Sequence, residues 1–148
     1  MARAKRVDPK DFFTGEEWAG LTRRSSWRGP ALVAHAWGVI FAAAAAAVIR
    51  PNPLTWMVAV MVIGTRQLGL AILMHDAAHG ALHPNLKVND WLGRWLCAAP
   101  TGASLERYRP YHLTHHRFAQ QPEDPDLVLS KPFPTTRSSL RRKIVRDL

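Results

Sequence analysis

The stretch 75-HDAAHGALHPN-85 decides how this 148-residue chain is interpreted, because two of its histidines are spaced for one face of a helix. Residues four apart share a face, so His75 and His79 can direct two imidazoles toward one point. A single HxxxH pattern is weak evidence, since histidines also pair by chance or lie hydrogen-bonded in a core. On its own, the stretch leaves metal binding and a structural role open.

A second cluster, 112-HLTHH-116, strengthens the metal hypothesis. Its histidines, His112, His115 and His116, have i, i+3, i+4 spacing, which again is one helical face. Six of the seven histidines in the chain lie between His75 and His116. Two helices that present two and three imidazoles to a common cavity predict a metal site, because neutral imidazole binds Zn, Fe, Cu and Ni.

The composition argues against an ordinary soluble domain, although 148 residues would suit one. The 20 Lys and Arg residues outnumber the 11 Asp and Glu residues, and they cluster at both ends, where they can face anionic lipid. Nucleic acid is not expected as a partner, since no nucleic-acid-binding signature accompanies the basic runs. The one cysteine, Cys97, excludes an internal disulfide and a cysteine-based zinc site.

Two long apolar segments predict an all-α, integral-membrane helical hairpin. Residues 31–49 carry no charge, and residues 54–74 form a second span that continues as a helix to about Gly80. The prolines of the segment 50–53 predict a tight turn between them. A hairpin returns the chain to its starting side, so both termini are expected to be cytoplasmic under the positive-inside rule.

Three parts are expected along the chain. Residues 1–29 form a basic cytoplasmic or interfacial segment with a short amphipathic helix over 15-GEEWAGL-21. Residues 30–130 contain the hairpin and the histidine clusters. Residues 131–148 form a basic amphipathic C-terminal segment that is expected to be truncated.

Two further helices are expected on the cytoplasmic face. The first covers residues 90–99 with Asn89 as its N-cap, and its apolar stripe suits either a membrane interface or plain core packing. The stripe consists of Trp91, Leu92, Trp95, Leu96 and Ala99. The second covers residues 104–119, carries the second histidine cluster and is too polar to span a membrane. Pro110 is expected to kink this helix or to mark its true start.

The donor set leaves several chemistries open. Soluble di-iron bundles use mainly glutamates, which do not recur here. HDAAH is similar to the metalloprotease HExxH pattern, with Asp76 in the place of the general base, so a membrane zinc hydrolase is one alternative. A non-enzymatic membrane metal-binding or adaptor protein is another. Five or six imidazoles fit two metals better than one, and we favour iron for O₂ activation, because a membrane-embedded site implies a lipid-like substrate with unactivated C–H bonds.

The sequence resembles the N-terminal part of an integral-membrane fatty acid desaturase. The histidine-box superfamily to which such enzymes belong also includes related hydroxylases and carotenoid-modifying enzymes. The resemblance is carried by 75-HDAAH-79 as the first box and 112-HLTHH-116 as the second. The flanking stretches 65-TRQLGLAILMHDAAHG-80, 89-NDWLGRWLCAAP-100 and 122-PEDPDL-127 are also similar to bacterial members.

This resemblance, which covers roughly residues 30–130, implies a centre of two iron ions that activates O₂ and removes hydrogen from a fatty acyl chain. It also implies a ferredoxin- or cytochrome-type electron donor, and it leaves hydroxylase or ketolase chemistry as an alternative. The implied iron ligands are His75, His79, His112, His115 and His116. Candidates for orienting these ligands are Asp76, His83 and Asp124. For Asp124, and for Asp126 beside it, a solvated turn is the preferred interpretation. For His83 a direct role as ligand is the alternative.

The family has a third histidine box after a second pair of membrane helices, and the 148 residues contain neither. Five expected ligands are therefore present and three are missing. We expect the chain to be a fragment that holds iron weakly and desaturates nothing when purified alone.

Overall fold

The computed structural model describes residues 8–130 and 136–147. Within these ranges the secondary structure consists of helices and turns without strands, which confirms the predicted all-α class. The chain forms two compact units, Met1–Pro110 and Tyr111–Leu148. The first unit contains the apolar helices and the first histidine cluster, and the second unit contains the later one.

The predicted amphipathic helix near the N-terminus is present as α1, Gly15–Leu21. A reciprocal capping box starts it, because the hydroxyl of Thr14 accepts from the Glu17 backbone and the Glu17 carboxylate accepts from the Thr14 backbone at 2.8 Å. The residues of α1 are exposed. Its location at a membrane interface stays a prediction.

The hairpin consists of α2, Arg28–Ile49, and α3, Pro53–Ala78, which pack against each other. Helix α2 begins two residues before Pro30, where the apolar run starts. Asn52 caps α3, since its Oδ1 accepts from two backbone N–H groups in the first turn at 3.0 and 3.1 Å. The turn between the apolar segments is therefore closed by local hydrogen bonds.

Both hairpin helices are long and apolar enough to cross a membrane. Only 17% of the apolar window of α2 and 22% of that of α3 is buried within the protein itself. The core helix of a soluble protein would be mostly buried. Large apolar side chains instead project outward along both helices; they include Leu32, Phe41, Val48, Leu54, Trp56, Val60 and Leu68. Exposed apolar surface of this extent, on helices of this length, is typical of membrane-spanning helices.

The packed core of the first unit surrounds the C-terminal half of α3 and the elements that follow it. Its buried members include Val33, Leu70, Leu73, Met74, Ala77, Leu82, Cys97, Ala98 and Leu105. Helix α3 is thus lightly covered where it would cross a membrane and closely packed where it carries the histidines. Burial also raises the pKa of the Cys97 thiol to about 12, so this cysteine is a neutral core residue.

The predicted helix over residues 90–99 begins earlier and has another cap. Helix α4 covers Leu86–Trp91 and continues into a π-helical turn, Leu92–Ala98. Asn85 is the N-cap, because its Oδ1 accepts from the Lys87 backbone at 2.9 Å. The prediction that Asn89 caps the helix is therefore wrong: Asn89 is fully buried inside the packed region. Both asparagines suit a cap by type, and tertiary contacts decide between them.

The apolar stripe predicted on this helix is divided between two environments. Trp91 and Trp95 are 55% and 56% exposed, whereas Leu92 is buried. A π-helical turn bonds residues five apart, so it changes the register that regular α-helical spacing predicts. The interpretation that both tryptophans pack in the core is therefore wrong. Their exposure agrees with the alternative, a helix at a membrane interface.

The π-helical turn lies very close to α3 at Gly93. A Cβ atom at this position would lie 2.4 Å from the Cβ atom of Ala77 and 3.0 Å from the side chain of Leu105. Only glycine, which has no Cβ atom, allows the two backbones to approach this closely. The turn after α4 is thereby packed directly on the part of α3 that lies between the two histidines of the first cluster.

Three further α-helices follow in the described part of the chain: α5, Leu105–Phe118, α6, Leu127–Ser130, and α7, Arg137–Asp147. Pro110 lies inside α5, so the prediction that it marks the true start of this helix is wrong. The basic C-terminal segment is helical over α7, and residues 131–135 and 148 of that predicted segment lie outside the described residues.

Candidate metal centre

The last turn of α3 brings the first two predicted ligands together. The ring centroids of His75 and His79 are 4.8 Å apart, and both residues are half-buried. Asp76 lies beside the first ring, with its Oδ1 at 3.1 Å from Nδ1 of His75. A carboxylate at Nδ1 fixes the ring orientation and leaves Nε2 as the nitrogen that can bind a metal. The spacing argument from sequence agrees with this geometry.

Backbone hydrogen bonds close α3 directly after these histidines. Gly80 adopts the left-handed conformation with φ of +69°, and its N–H donates to the carbonyl of Ala77 at 3.0 Å. The next N–H, of Ala81, donates to the carbonyl of Asp76 at 2.8 Å. This 6→1 and 5→2 pair is a Schellman motif, which needs a residue that tolerates positive φ. The turn carrying His79 therefore has a defined end.

Three polar side chains hold the same helix end from outside, and we name them the α3 clasp: Asn89, Asp90 and Arg109. Asn89 donates from Nδ2 to the carbonyl of Ala77 at 2.9 Å and accepts from the backbone N–H of Leu82 at 3.1 Å. Arg109 donates to Asp90 through two nitrogens. The hydrogen bonds from Arg109 hold the pKa of the Asp90 carboxyl below its usual range, so the ion pair persists at neutral pH.

Local sequence patterns do not reveal the α3 clasp. They predict Asn89 as a helix cap and assign no role to Asp90 or Arg109 beyond their helices. Their partners on α3 lie 12 to 32 residues away in the chain, so no local pattern reveals the pairing.

His83, a predicted orienting residue, lies in the loop after α3. Its Nδ1 accepts a hydrogen bond from the backbone N–H of Asn85 at 3.0 Å. This bond stabilises the turn that leads into α4. The described contact is structural, and any role of His83 toward a metal stays a prediction.

In the second unit, the three histidines of the second cluster lie side by side on α5. The Nε2 atoms of His112 and His116 are 3.0 Å apart. Two ligands that bind one ion at right angles, each at about 2.1 Å, are separated by about 3.0 Å. The ring centroid of His115 lies 5.6 Å from that of His116. The two Nε2 atoms are thus within hydrogen-bond distance of each other, and the same separation is compatible with two ligands of one ion.

A buried carboxylate orients the remaining ring of this cluster. Asp124 Oδ1 lies 2.8 Å from Nδ1 of His115, and the Asp124 side chain has no exposed surface. Asp124 also accepts from the backbone N–H groups of Gln120 and Asp126 at 2.8 and 2.9 Å. The interpretation of Asp124 as a solvated turn residue is therefore wrong. Its hydrogen bond raises the pKa of His115, which is the effect of a carboxylate that stabilises imidazolium.

The Asp126 carboxylate extends this network. Its Oδ2 lies 3.4 Å from Nδ1 of His115, and its Oδ1 accepts from the hydroxyl of Tyr111. The hydrogen bond to Asp126 raises the pKa of the Tyr111 hydroxyl above its ordinary value. His115 therefore has both carboxylates at one ring nitrogen, and its Nε2 is the nitrogen that points away from them.

The donors in each unit fit a transition metal. They are imidazole nitrogens, two of the rings have a carboxylate at Nδ1, and one pair has the spacing of neighbouring ligands. Together with two helices of membrane-spanning length, these features describe an all-helical protein whose histidine clusters could hold metal ions.

Comparison with known families agrees with that description. The family model described as "Fatty acid desaturase" matches residues 51–148, which is most of the chain and includes both histidine clusters. The chain belongs to the fatty acid desaturase family. The resemblance seen in the two histidine boxes is thereby confirmed.

Two curated relatives extend the comparison. A dihydrorhizobitoxine desaturase of Bradyrhizobium elkanii is 42% identical over 71 residues, which is 47% of this chain and 20% of the relative. A beta-carotene ketolase of Paracoccus sp. (strain PC1) is 36% identical over 103 residues, which is 64% of this chain and 38% of the relative. The chain thus spans about a fifth to two fifths of these relatives. No solved structure gives a significant match.

Proposed function

We propose that the protein takes part in O₂-dependent desaturation of an acyl chain as a membrane di-iron oxidoreductase. The observation that carries this proposal is the histidine geometry in a chain of the desaturase family: His112 and His116 have the 3.0 Å spacing of neighbouring ligands, and His75 and His79 form a second close pair. Iron, when bound, would supply the activation of O₂ and the removal of hydrogen from the substrate.

In this proposal the residues of the chain bind the metal and orient its ligands. We propose His75, His79, His112, His115 and His116 as ligands. Asp76 and Asp124 hold Nδ1 of their histidines and leave Nε2 for the metal. A carboxylate in this position also makes the imidazole a stronger donor. In this role Asp76 is bonded to the first ligand, which supports an orienting function over that of a hydrolytic base.

The surroundings of the first cluster support a lipid-like substrate. An open cavity of about 410 Å³ lies beside His75 and is lined by Ala71, Ile72 and Tyr108. The walls are mostly apolar, as an acyl chain would require. The exposed apolar surface of α2 and α3 supports placement in a membrane, and we propose that both termini are cytoplasmic.

An external electron donor completes the proposal, since O₂-dependent desaturation consumes two electrons beyond those from the substrate. We propose a ferredoxin- or cytochrome-type protein. The exposed basic residues of α7, Arg137, Arg141 and Arg142, support an acidic partner. The positive charge of these arginines would steer an acidic electron donor toward the protein.

Oxygen insertion is a second candidate. The ketolase relative covers more of the chain than the desaturase relative does, and it matches at 36% identity. A chain related to this one can therefore belong to a protein that adds oxygen to its substrate rather than removing hydrogen. The two outcomes differ in product mass, which makes them separable in one assay.

The test uses the complete product of the gene in membranes, supplied with O₂, an electron donor and acyl lipids. Mass spectrometry of the lipids is expected to show loss of two hydrogen atoms. His75→Ala and His112→Ala are expected to abolish this change. His35→Ala is the matched control, because this exposed histidine of α2 is outside both clusters and its replacement should leave the product unchanged.

If the lipid product gained an oxygen atom instead, the result would favour the ketolase or hydroxylase alternative over desaturation. Turnover that survives both cluster substitutions would refute the proposed ligands. A protein that retains zinc and cleaves its substrate without O₂ would support the hydrolase alternative instead.

A further inference from the structure

One guanidinium group lies across the carbonyls that end α3. Arg109 donates from Nε to the carbonyl of Ala78 at 3.1 Å and from Nη2 to the carbonyl of Ala77 at 2.9 Å. The last carbonyls of a helix have no partner within the helix and carry partial negative charge. The carbonyl of Ala77 also accepts from the Gly80 N–H and from Asn89. Arg109 therefore adds two hydrogen bonds and a compensating positive charge to the turn that contains His75 and His79.

The guanidinium is held from its other edge by a carboxylate. Arg109 Nη1 donates to Oδ2 of Asp90 at 3.2 Å, and Nη2 donates to Oδ1. Asn89 Nδ2 donates to the same Oδ1 at 2.8 Å. The carboxylate balances the positive charge, so the α3 clasp places no net charge beside a site that is proposed to bind cations. A planar fork is needed for this set of contacts, and an ammonium group does not provide it.

The carbonyls bound by Arg109 and the imidazoles of the first cluster belong to one rigid turn. Ala77 and Ala78 stand between His75 and His79, so any rotation of the turn moves the carbonyls and the rings together. Loss of the α3 clasp therefore frees a motion that reorients both imidazoles. Residues that orient metal ligands typically change metal affinity 10- to 100-fold when they are removed.

We propose that Arg109 is a positioning residue for the metal centre, acting through the α3 clasp on the turn that carries His75 and His79. The presence of a metal in this inference rests on the proposed function. The way in which Arg109 acts rests on the hydrogen bonds of the α3 clasp. Arg109 contacts neither substrate nor metal in this role. Its effect is on the geometry of the ligands.

The test uses Co²⁺ alone as the probe, added to the complete gene product in detergent. Arg109→Gln and Arg109→Lys are both expected to weaken Co²⁺ binding about 10-fold and to shift its visible absorption bands. Arg107→Gln is the matched control: it removes the same charge from an exposed position on the same helix, and its spectrum should equal that of the unaltered protein. Equal spectra for Arg107→Gln and Arg109→Gln would overturn the proposal.

A second comparison separates positioning from stability. Ala47→Gly removes a buried methyl group from α2 near the hairpin turn, at the opposite end of the hairpin from His75 and His79, and lowers stability without touching the α3 clasp. It should leave the Co²⁺ bands in place, while millimolar guanidinium should restore them in Arg109→Ala. If the bands shifted in Ala47→Gly as in Arg109→Ala, and guanidinium did not restore them, the positioning role would be overturned.

A measurement without metal distinguishes failure of this inference from failure of the proposed metal centre. Ring signals of His75 and His79 in the NMR spectrum are assigned with the two single alanine variants. We expect both signals to move in Arg109→Gln and to stay in Arg107→Gln, even if the unaltered protein binds no Co²⁺. Ring signals that do not move in Arg109→Gln would refute the inference whatever the metal result.

Discussion

The two histidine clusters share a helical spacing but are held in different ways. His75 and His79 end a long helix that is fixed by backbone hydrogen bonds, close packing and the α3 clasp. In the second unit, a buried carboxylate holds one ring from a short turn after α5. The first cluster therefore depends on many distributed contacts, whereas the second depends strongly on Asp124. Different substitutions should disturb them separately.

The largest expected effect is on the support of the first cluster. Asn89→Asp replaces a buried donor with a carboxylate that faces the carbonyl of Ala77 and the carboxylate of Asp90. We expect a loss of about 3 kcal/mol in the free energy of unfolding, because a buried hydrogen bond is lost and a charge is left unpaired. Chemical unfolding in detergent, followed by circular dichroism, measures it.

Asn85→Asp is the control for this substitution. Asn85 is an exposed N-cap, and aspartate is equally good in that position, so the unfolding free energy should change by less than about 0.5 kcal/mol. Similar losses for the two variants would show that Asn89 has no special part in holding α3.

A smaller effect is expected from Gly93→Ala. The new Cβ atom would meet the Cβ atom of Ala77 at 2.4 Å, so the π-helical turn must move away from α3. Such overpacking should lower the unfolding free energy by about 2 kcal/mol. Gly38→Ala is the matched control in a helix, since nothing lies within 4 Å of its added atom, and it should be neutral or stabilising by up to about 1 kcal/mol. A stabilising Gly93→Ala would contradict the close packing.

The second cluster should respond to a single carboxylate. Asp124→Asn keeps the shape of the side chain but weakens its hold on Nδ1 of His115. We expect about 10-fold weaker Co²⁺ binding, with the NMR ring signals of the first cluster unchanged. Glu123→Gln, an exposed neighbour, should have no effect on binding. If the first cluster's signals moved instead, the two clusters would not be held independently.

The smallest effect is a pH dependence of the α3 clasp. The Asp90 carboxyl has a pKa below its ordinary value of 3.8, chiefly through its hydrogen bonds to Arg109. Its stabilisation is therefore fully present above that value and is lost as the pH falls through the lower, folded-state pKa. Asp90→Asn should be less stable than the unaltered protein at neutral pH, and the difference should shrink at about pH 3. A difference that persists in acid would argue against the ion pair.

Local patterns in the sequence predicted much of this architecture. The two apolar runs predicted the hairpin, 15-GEEWAGL-21 predicted α1, and histidine spacing predicted the pairs on α3 and α5. These features depend on residues a few positions apart. Periodicity and turn chemistry are sufficient to predict such local features.

The contacts that fix the histidines were beyond such patterns. Asn89 had the residue type of a cap, and only its burial against α3 assigns it to the α3 clasp. Arg109 reaches carbonyls 31 and 32 residues earlier in the chain. Asp124, in a stretch typical of a solvated turn, is instead buried against His115. Non-local packing determines each of these outcomes.

The most direct test of the proposed di-iron centre is the iron content of the complete gene product after loading with Fe²⁺. The proposal predicts two iron ions per protein. His75→Ala, His79→Ala, His112→Ala, His115→Ala and His116→Ala should each lower that number, and His35→Ala should not. Two tightly bound irons in every one of the five variants would contradict the assignment of these histidines as ligands.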